Sequence, residues 1–182
     1  MAATGTTTDT EFRYINLHRR GYVAVITLQR PDRLNALNRQ MAQELHDALE
    51  QLAGGFPETR AVVIIGAGPG FCSGANVGDI AEQVANPMPH PRNRELDPSS
   101  GAGQGPSIIM RLAPHLRQIP QPVIAAVNGV AAGAGLGIAL ACDIRLASDK
   151  ARFTSVFVKR SLVPDAGVSQ ILAALVGPGI AA

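Results

Sequence analysis

The stretch NGVAAGAGLGIALACD, residues 128–143, has glycines at positions 129, 133, 135 and 137. It follows the β-forming run PVIAAV and ends in the helix-like run GIALACD. Glycine inside a helix costs about 1 kcal/mol relative to alanine, so its repeated use here needs a physical reason. The glycines therefore predict that another group comes very close to the backbone at this turn.

The composition indicates one globular and rather apolar domain. The chain has 182 residues, of which 46% are hydrophobic and 16% charged, enough for a substantial core. A net charge of +2 and an aromatic content of 4% argue against nucleic-acid binding. Cys72 and Cys142 form no metal-binding or redox motif, so we expect no metal site, no disulfide framework and a cytoplasmic location. No apolar run reaches the roughly 18 residues that a membrane helix needs, so we expect no membrane contact.

Helical and buried-strand patterns alternate along the chain, which predicts the α/β class. The predicted strands are residues 11–19, 22–29, 61–68, 122–127, 143–148 and 153–158, the first two forming a hairpin. The predicted helices are residues 38–53, 74–84, 107–117 and 165–176, the third weakened by the internal Pro114. Residues 1–10 read as a disordered tail and 86–106 as a flexible loop within a domain spanning 11–182.

Two familiar glycine motifs are incomplete here. VVIIGAGPGFCSG begins like a dinucleotide-binding fingerprint, but its third glycine is replaced by Phe71 and no acid-terminated strand follows. A serine-hydrolase elbow also fails, because Ser73 is followed directly by Gly74. We therefore expect neither activity.

Two small-residue turns, FCSGAN and NGVAAGAG, each follow a buried strand. If their backbone N–H groups converge, they form an oxyanion hole, in which each donor stabilises charge on a carbonyl oxygen by roughly 3 kcal/mol. Helices starting at these turns would add their positive dipole ends. Close helix–strand packing selects the same small residues, and the residues alone leave both interpretations open.

Three ordered segments carry a family resemblance: LQRPDRLNALNRQM, VVIIGAGPGFCSGANV and PVIAAVNGVAAGAGLGIALACDIRLAS. Together they resemble the enoyl-CoA hydratase/isomerase (crotonase) superfamily, over residues 12 to about 179. The resemblance implies a spiral of β-β-α units that trimerises and binds acyl-CoA thioesters. It also implies that two backbone N–H groups stabilise a thioester enolate.

The resemblance assigns the two N–H donors to Ala75 and Ala134. The thioester oxygen would then be the group that approaches the glycine-rich backbone. Coenzyme A contacts map to Arg33, Leu34, Ser73 and Ala75, although Arg33 reads equally well as a solvated loop residue. A coenzyme A thioester is implied as substrate, with no covalently bound cofactor and no metal.

The carboxylates at the site distinguish the branches of the superfamily. Hydratases carry two glutamates, whose places here hold Gly137 and Phe157. Asp165, in SLVPDAGVS, resembles the single acid of the isomerase branch, which includes double-bond isomerases and the ring-opening isomerase of phenylacetate breakdown. A single carboxylate suits proton transfer from C2 to C4 of an enoyl thioester. The alternative is that Asp165 only caps the next helix. Asp143 reads as structural.

The run ALVGPGIAA, which ends the sequence, matches the point where relatives begin a long helix. Their further C-terminal helices cover the acyl pocket and build much of the trimer interface, so we expect this chain to lack that region and to trimerise more weakly. Two alternatives to an isomerase therefore stay open. One is a protein that binds acyl-CoA or a partner without turnover, and the other is an enoyl-CoA hydratase.

Overall fold

The computed structural model of the chain describes residues 12–76, Gly78 and residues 107–182. The tail predicted at 1–10, the loop predicted at 86–106 and most of the helix predicted at 74–84 lie outside these residues. Within the described part of the chain, no helix combines the length and the apolar character needed to cross a membrane.

The main sheet has five strands in the order β1-β2-β3-β4-β6. The first two form the predicted antiparallel hairpin, and the other neighbours are parallel. Buried and half-buried side chains alternate along β2 and β3, as expected of a sheet with one face in the core. The strands of the described residues are β1 (Ile15–Arg20), β2 (Val23–Leu28), β3 (Ala61–Gly66), β4 (Val123–Val127), β5 (Val130–Ala132), β6 (Ile144–Ala147) and β7 (Arg152–Thr154).

A second, two-stranded sheet pairs β5 with β7 in parallel. Its strand β5 was not predicted, because three small residues between two glycines carry no alternation. The strand predicted at 153–158 was too long, since β7 ends at Thr154 and Val158–Arg160 forms a 3-10 turn.

The helices of the described residues are α1 (Arg39–Gly54), α2 (Leu112–Leu116), α3 (Ala134–Ala141), α4 (Val168–Val176) and α5 (Pro178–Ala181). The first matches its prediction closely, because Asn38 caps it by accepting a 2.8 Å hydrogen bond from the Met41 N–H. It buries Met41, Leu45 and Leu49 in the core.

Two helix predictions were too long. The helix predicted at 107–117 is reduced to α2, in agreement with the disruptive effect of Pro114. The last helix begins at Val168 and not at residue 165, because Ala166 and Gly167 have φ angles of +49° and +80°. Residues in this left-handed region cannot continue a right-handed helix.

A histidine pair links α1 to α2. The Nδ1 atoms of His46 and His115 are 2.6 Å apart, and Nε2 of His46 lies 3.0 Å from the carbonyl oxygen of Ile108. One Nδ1 must donate and the other accept, so the contact cannot survive full protonation of both rings. Burial, followed by the charge of His46, lowers the pKa of His115, while Glu50 opposes this shift.

We expect acidification to weaken the fold through His115. Because the pKa of His115 is lower in the folded state, its neutral ring contributes to the free energy of unfolding. This contribution is fully present above the unfolded-state pKa of about 6.5 and is lost as the pH falls through the folded-state pKa. His115→Gln should therefore reduce the loss of unfolding free energy between about pH 8 and pH 5, as measured by urea titration. The exposed His18, replaced by glutamine, serves as the control. A His115→Gln protein with the same pH dependence as the parent would contradict this assignment.

Candidate functional site

The segment after β3 is docked on β5 by main-chain hydrogen bonds. The N–H of Cys72 donates to the carbonyl of Val130 at 2.9 Å, and the N–H of Ala132 donates to the carbonyl of Cys72 at 2.9 Å. This parallel bridge joins the first small-residue turn to the second.

The same segment is held on its other side by Leu37. The N–H of Leu37 donates to the Gly74 carbonyl at 2.7 Å, and the N–H of Asn76 donates to the Leu37 carbonyl at 2.8 Å. Ala75 is thus the bridge partner of Leu37. In a parallel bridge of this pattern, the N–H of the intervening residue points away from the partner strand. The N–H of Ala75 therefore points away from Leu37.

Ala134 is the first residue of α3, and Gly133 occupies the N-cap with a φ of +51°. A first-turn N–H has no acceptor inside its own helix. Across residues 12–76 and 107–182, neither the N–H of Ala75 nor that of Ala134 donates a hydrogen bond. Ala134 is only 4% exposed, and an unpaired N–H in such a place costs free energy until a ligand accepts from it.

Gly74 brings the turn that carries Ala75 into contact with the turn that carries Ala134, and we call these two the donor turns. A Cβ atom placed on Gly74 would lie 2.8 Å from the Ala132 carbonyl oxygen and 3.4 Å from the Ala134 nitrogen. Its φ of +99° also disfavours any larger residue. The structure thus places Ala75 and Ala134 on adjoining turns.

The glycines of the 128–143 stretch are explained mainly by the chain itself. A Cβ atom on Gly129, Gly135 or Gly137 would overlap a main-chain carbonyl oxygen, and these oxygens belong to Pro69, Cys72 and Ala166 respectively. The interpretation that a thioester oxygen requires these glycines is therefore wrong for these three positions. The alternative of close backbone packing accounts for them.

The residues assigned to coenzyme A lie together beside the first donor turn. The Ser73 N–H donates to the Leu34 carbonyl at 2.9 Å, and Ser73 Oγ donates to the Arg33 carbonyl at 3.1 Å. Leu34 is 39% exposed. The Arg33 side chain is 71% exposed, and its Nε lies 3.7 Å from the Asp32 carboxylate. This placement agrees with the alternative interpretation, in which Arg33 is a solvated loop residue.

Asp165 lies in the segment that packs against α3. The carbonyl oxygen of the neighbouring Ala166 packs closely against Gly137, which lies one helical turn beyond Ala134. Burial raises the pKa of the half-buried Asp165 carboxyl, and a hydrogen bond from its own main-chain amide opposes the shift. The alternative in which the Asp165 side chain caps α4 is wrong, since Gly167 holds the N-cap position and no side chain caps it.

By resemblance to the hydratases, positions 137 and 157 are the places of the two glutamates, and neither holds a carboxylate in this chain. Gly137 has no room for a side chain beside Ala166. Phe157 is 4% exposed and packs with Leu136, Leu140 and Val168. The carboxylate of Asp143 accepts the Val123 N–H at 2.8 Å, as a structural role requires.

Two asparagines that hold the turn of residues 66–70, directly before Phe71, were not predicted from the sequence. The side chain of Asn35 is fully buried and that of Asn128 is half-buried. Their oxygens accept the main-chain N–H groups of Arg30 and Gly66 at 2.8 and 3.1 Å. The signal that could have revealed them is a polar amide next to an apolar strand, as in PVIAAVN.

Comparison with known proteins places this geometry in a family. The sequence pattern of the enoyl-CoA hydratase/isomerase family matches residues 18–182. A protein of Rhodobacter capsulatus, named as a probable enoyl-CoA hydratase, is 41% identical over 145 residues, covering 80% of this chain and 50% of the relative. The 1,2-epoxyphenylacetyl-CoA isomerase of Escherichia coli is 37% identical over 164 residues, covering 90% of this chain and 58% of the relative.

A solved structure agrees with the sequence comparisons. The crystal structure of an enoyl-CoA hydratase from Mycobacterium avium subsp. paratuberculosis aligns with a TM-score of 0.76 and 35% identity. The alignment covers 94% of this chain and 62% of that one. The chain thus spans about half to three fifths of the length of the relatives it matches, and the crotonase-like α/β fold is confirmed over that length.

We expect Gly137→Ala to destabilise the fold, because the new Cβ would push Ala166 and the adjoining Asp165 away from α3. The free energy of unfolding should fall by about 1–3 kcal/mol in a urea titration. Gly54→Ala is the matched control, since a Cβ there meets nothing within 4 Å. It should leave stability unchanged or raise it by up to about 1 kcal/mol. Equal effects of the two substitutions would contradict the close contact at Gly137.

Proposed function

The chain belongs to the enoyl-CoA hydratase/isomerase family, and on that premise we propose that it binds an acyl-CoA thioester and shifts a double bond of an enoyl-CoA. The observation that carries this proposal is the pair of N–H groups of Ala75 and Ala134, which lie on adjoining turns and lack acceptors within the described residues. A thioester carbonyl oxygen is an acceptor of the right chemistry for both.

In the proposed reaction the two donors stabilise the enolate oxygen by roughly 3 kcal/mol each. The positive dipole end of α3 lies at Ala134 and adds to this effect. Arg145 balances the other end of α3 by donating to the carbonyls of Cys142 and Leu140 at 2.5 and 3.3 Å.

Asp165 supplies the proton transfer in this proposal. Its carboxylate removes a proton from C2 of a 3-enoyl thioester, and the negative charge moves onto the carbonyl oxygen as a dienolate. The same carboxyl then returns the proton at C4, which gives the 2-enoyl product without consuming water. The pKa of Asp165, raised by burial, makes the carboxylate a stronger base than an exposed aspartate.

Coenzyme A is proposed to lie along the cluster of Arg33, Leu34, Ser73 and Ala75. Ser73 is held there by hydrogen bonds to the carbonyls of Leu34 and Arg33. The exposed Arg33 guanidinium, whose Nε lies 3.7 Å from the Asp32 carboxylate, offers a phosphate several N–H donors. The proposed enzyme uses the thioester substrate without a further cofactor.

Binding without turnover is the second candidate. Val158 and Val163 are 82% and 83% exposed in the segment that leads to Asp165. Water at an acyl site weakens the electrostatic stabilisation of an enolate. Hydration, suggested by the names of several relatives, is disfavoured because positions 137 and 157 hold glycine and phenylalanine.

Asp165→Asn tests the proposed mechanism. Asparagine keeps the shape but cannot accept the proton, so kcat for a 3-enoyl-CoA should fall at least about 100-fold. Absorbance of the conjugated 2-enoyl product measures the rate, and calorimetry should give an acyl-CoA Kd within about twofold of the parent.

The exposed Asp149, replaced by asparagine, serves as the matched control and should retain full activity. An Asp165→Asn protein as active as the parent would remove this residue from the mechanism. A parent protein that binds acyl-CoA but never forms the conjugated product would establish the second candidate.

A further inference from the structure

Two asparagine side chains converge on one main-chain carbonyl. Nδ2 of Asn35 donates to the oxygen of Gly70 at 2.9 Å, and Nδ2 of Asn128 donates to the same oxygen at 3.2 Å. The two residues come from different parts of the chain, one before α1 and one directly after β4.

Each amide also binds a second carbonyl of the same turn. The other hydrogen bond of Asn35 Nδ2 goes to Ala67 at 2.9 Å, and that of Asn128 Nδ2 goes to Gly68 at 2.9 Å. Together with the bond from the Gly66 N–H to Asn128 Oδ1, these contacts span the whole turn of residues 66–70.

This turn leads directly to the first proposed donor. The N–H groups of Phe71 and Cys72 both donate to the Val130 carbonyl, at 3.1 and 2.9 Å. Asn128 lies two residues before Val130, on the segment that continues to Ala134. Its side chain therefore ties the turn before Ala75 to the main chain that carries Ala134.

Main-chain hydrogen bonds alone do not satisfy every carbonyl where the turn of residues 66–70 meets the segment that follows β4. Gly129 packs so closely on the Pro69 carbonyl that no side chain fits between the two turns. The carbonyls of Gly68 and Gly70 accept hydrogen bonds from the asparagine amides, and removal of both amides would take these partners from the two carbonyls.

We infer that Asn35 and Asn128 are positioning residues that set the separation between the N–H groups of Ala75 and Ala134. This inference rests on the proposed function, because the separation matters only if both groups bind one thioester oxygen. Misplacement of a reacting group by about 1 Å can cost about 100-fold in rate.

Asn128→Asp provides the direct test. It keeps the oxygen that accepts the Gly66 N–H but places a second oxygen against the carbonyls of Gly68 and Gly70. We expect kcat for a 3-enoyl-CoA to fall about 10- to 100-fold, while the Kd for free coenzyme A stays within about twofold. The infrared shift of the thioester carbonyl of a bound saturated acyl-CoA should shrink toward its value in water. Asn35→Asp should act in the same direction.

Gln121→Met is the matched control, because Gln121 is a buried amide at the opposite end of β4. Its Nε2 donates to the Leu52 carbonyl at 2.5 Å, a contact that involves neither the turn of Ala75 nor that of Ala134. This substitution should lower stability and leave both kcat and the carbonyl shift unchanged. If Asn128→Asp also lowers only stability, with an unaltered carbonyl shift and kcat, the positioning role is overturned.

Amide hydrogen exchange separates this inference from the proposed function. If the parent protein produces no carbonyl shift with a bound acyl-CoA, the proposed function fails and the catalytic meaning of the inference fails with it. The structural part is then judged alone: Asn128→Asp should speed exchange of the amides at Phe71 and Cys72 and spare α1. Unchanged exchange at these two amides would overturn the inference even where the parent is active.

Discussion

The docking of two backbone turns on each other is the constraint on which the rest of this structure depends. The turns follow β3 and β4, which are parallel neighbours, so both leave the sheet at the same edge. Glycines at 129 and 135 let carbonyl oxygens of the first turn, those of Pro69 and Cys72, touch the second. The two turns are thus joined main chain to main chain, and the side-chain amides of Asn35 and Asn128 brace the first of them.

This construction explains why small residues prevail in the described parts of both turns. The two groups that would polarise a carbonyl are peptide N–H groups, which need no particular side chain and titrate at no working pH. What the sequence must supply is space, and glycine and alanine supply it at every close approach. Because main-chain donors are fixed before a substrate binds, they do not reorganise as charge develops.

The position of Asp165 follows from the same kind of packing. The backbone turns through left-handed conformations at Ala166 and Gly167, so the chain crosses α3 at Gly137 instead of entering α4 at once. A glutamate at position 137 would occupy the place of the Ala166 carbonyl. Within the described residues, this packing places the half-buried Asp165 next to the contact of Ala166 with α3, and the proposed proton transfer within the acyl chain requires no second acid.

Much of this could be predicted from sequence, for identifiable reasons. The hairpin, α1 and the parallel strands have clear periodicity and end signals such as Asn38. The family resemblance pointed to the turns of Ala75 and Ala134, which the structure places side by side. The strand β5 and the start of α4 were missed because their conformation is set by tertiary contacts and by positive φ angles at Ala166 and Gly167. The bracing role of Asn35 and Asn128 was missed because their partners are main-chain carbonyls distant in sequence, which no local pattern reveals.

The most direct test of this account is a crystal structure of the protein with a saturated acyl-CoA bound. The account predicts that the main-chain nitrogens of Ala75 and Ala134 both lie about 2.7–3.1 Å from the thioester oxygen. A thioester oxygen that contacts only one of these nitrogens, or that is bound by other groups, would contradict it.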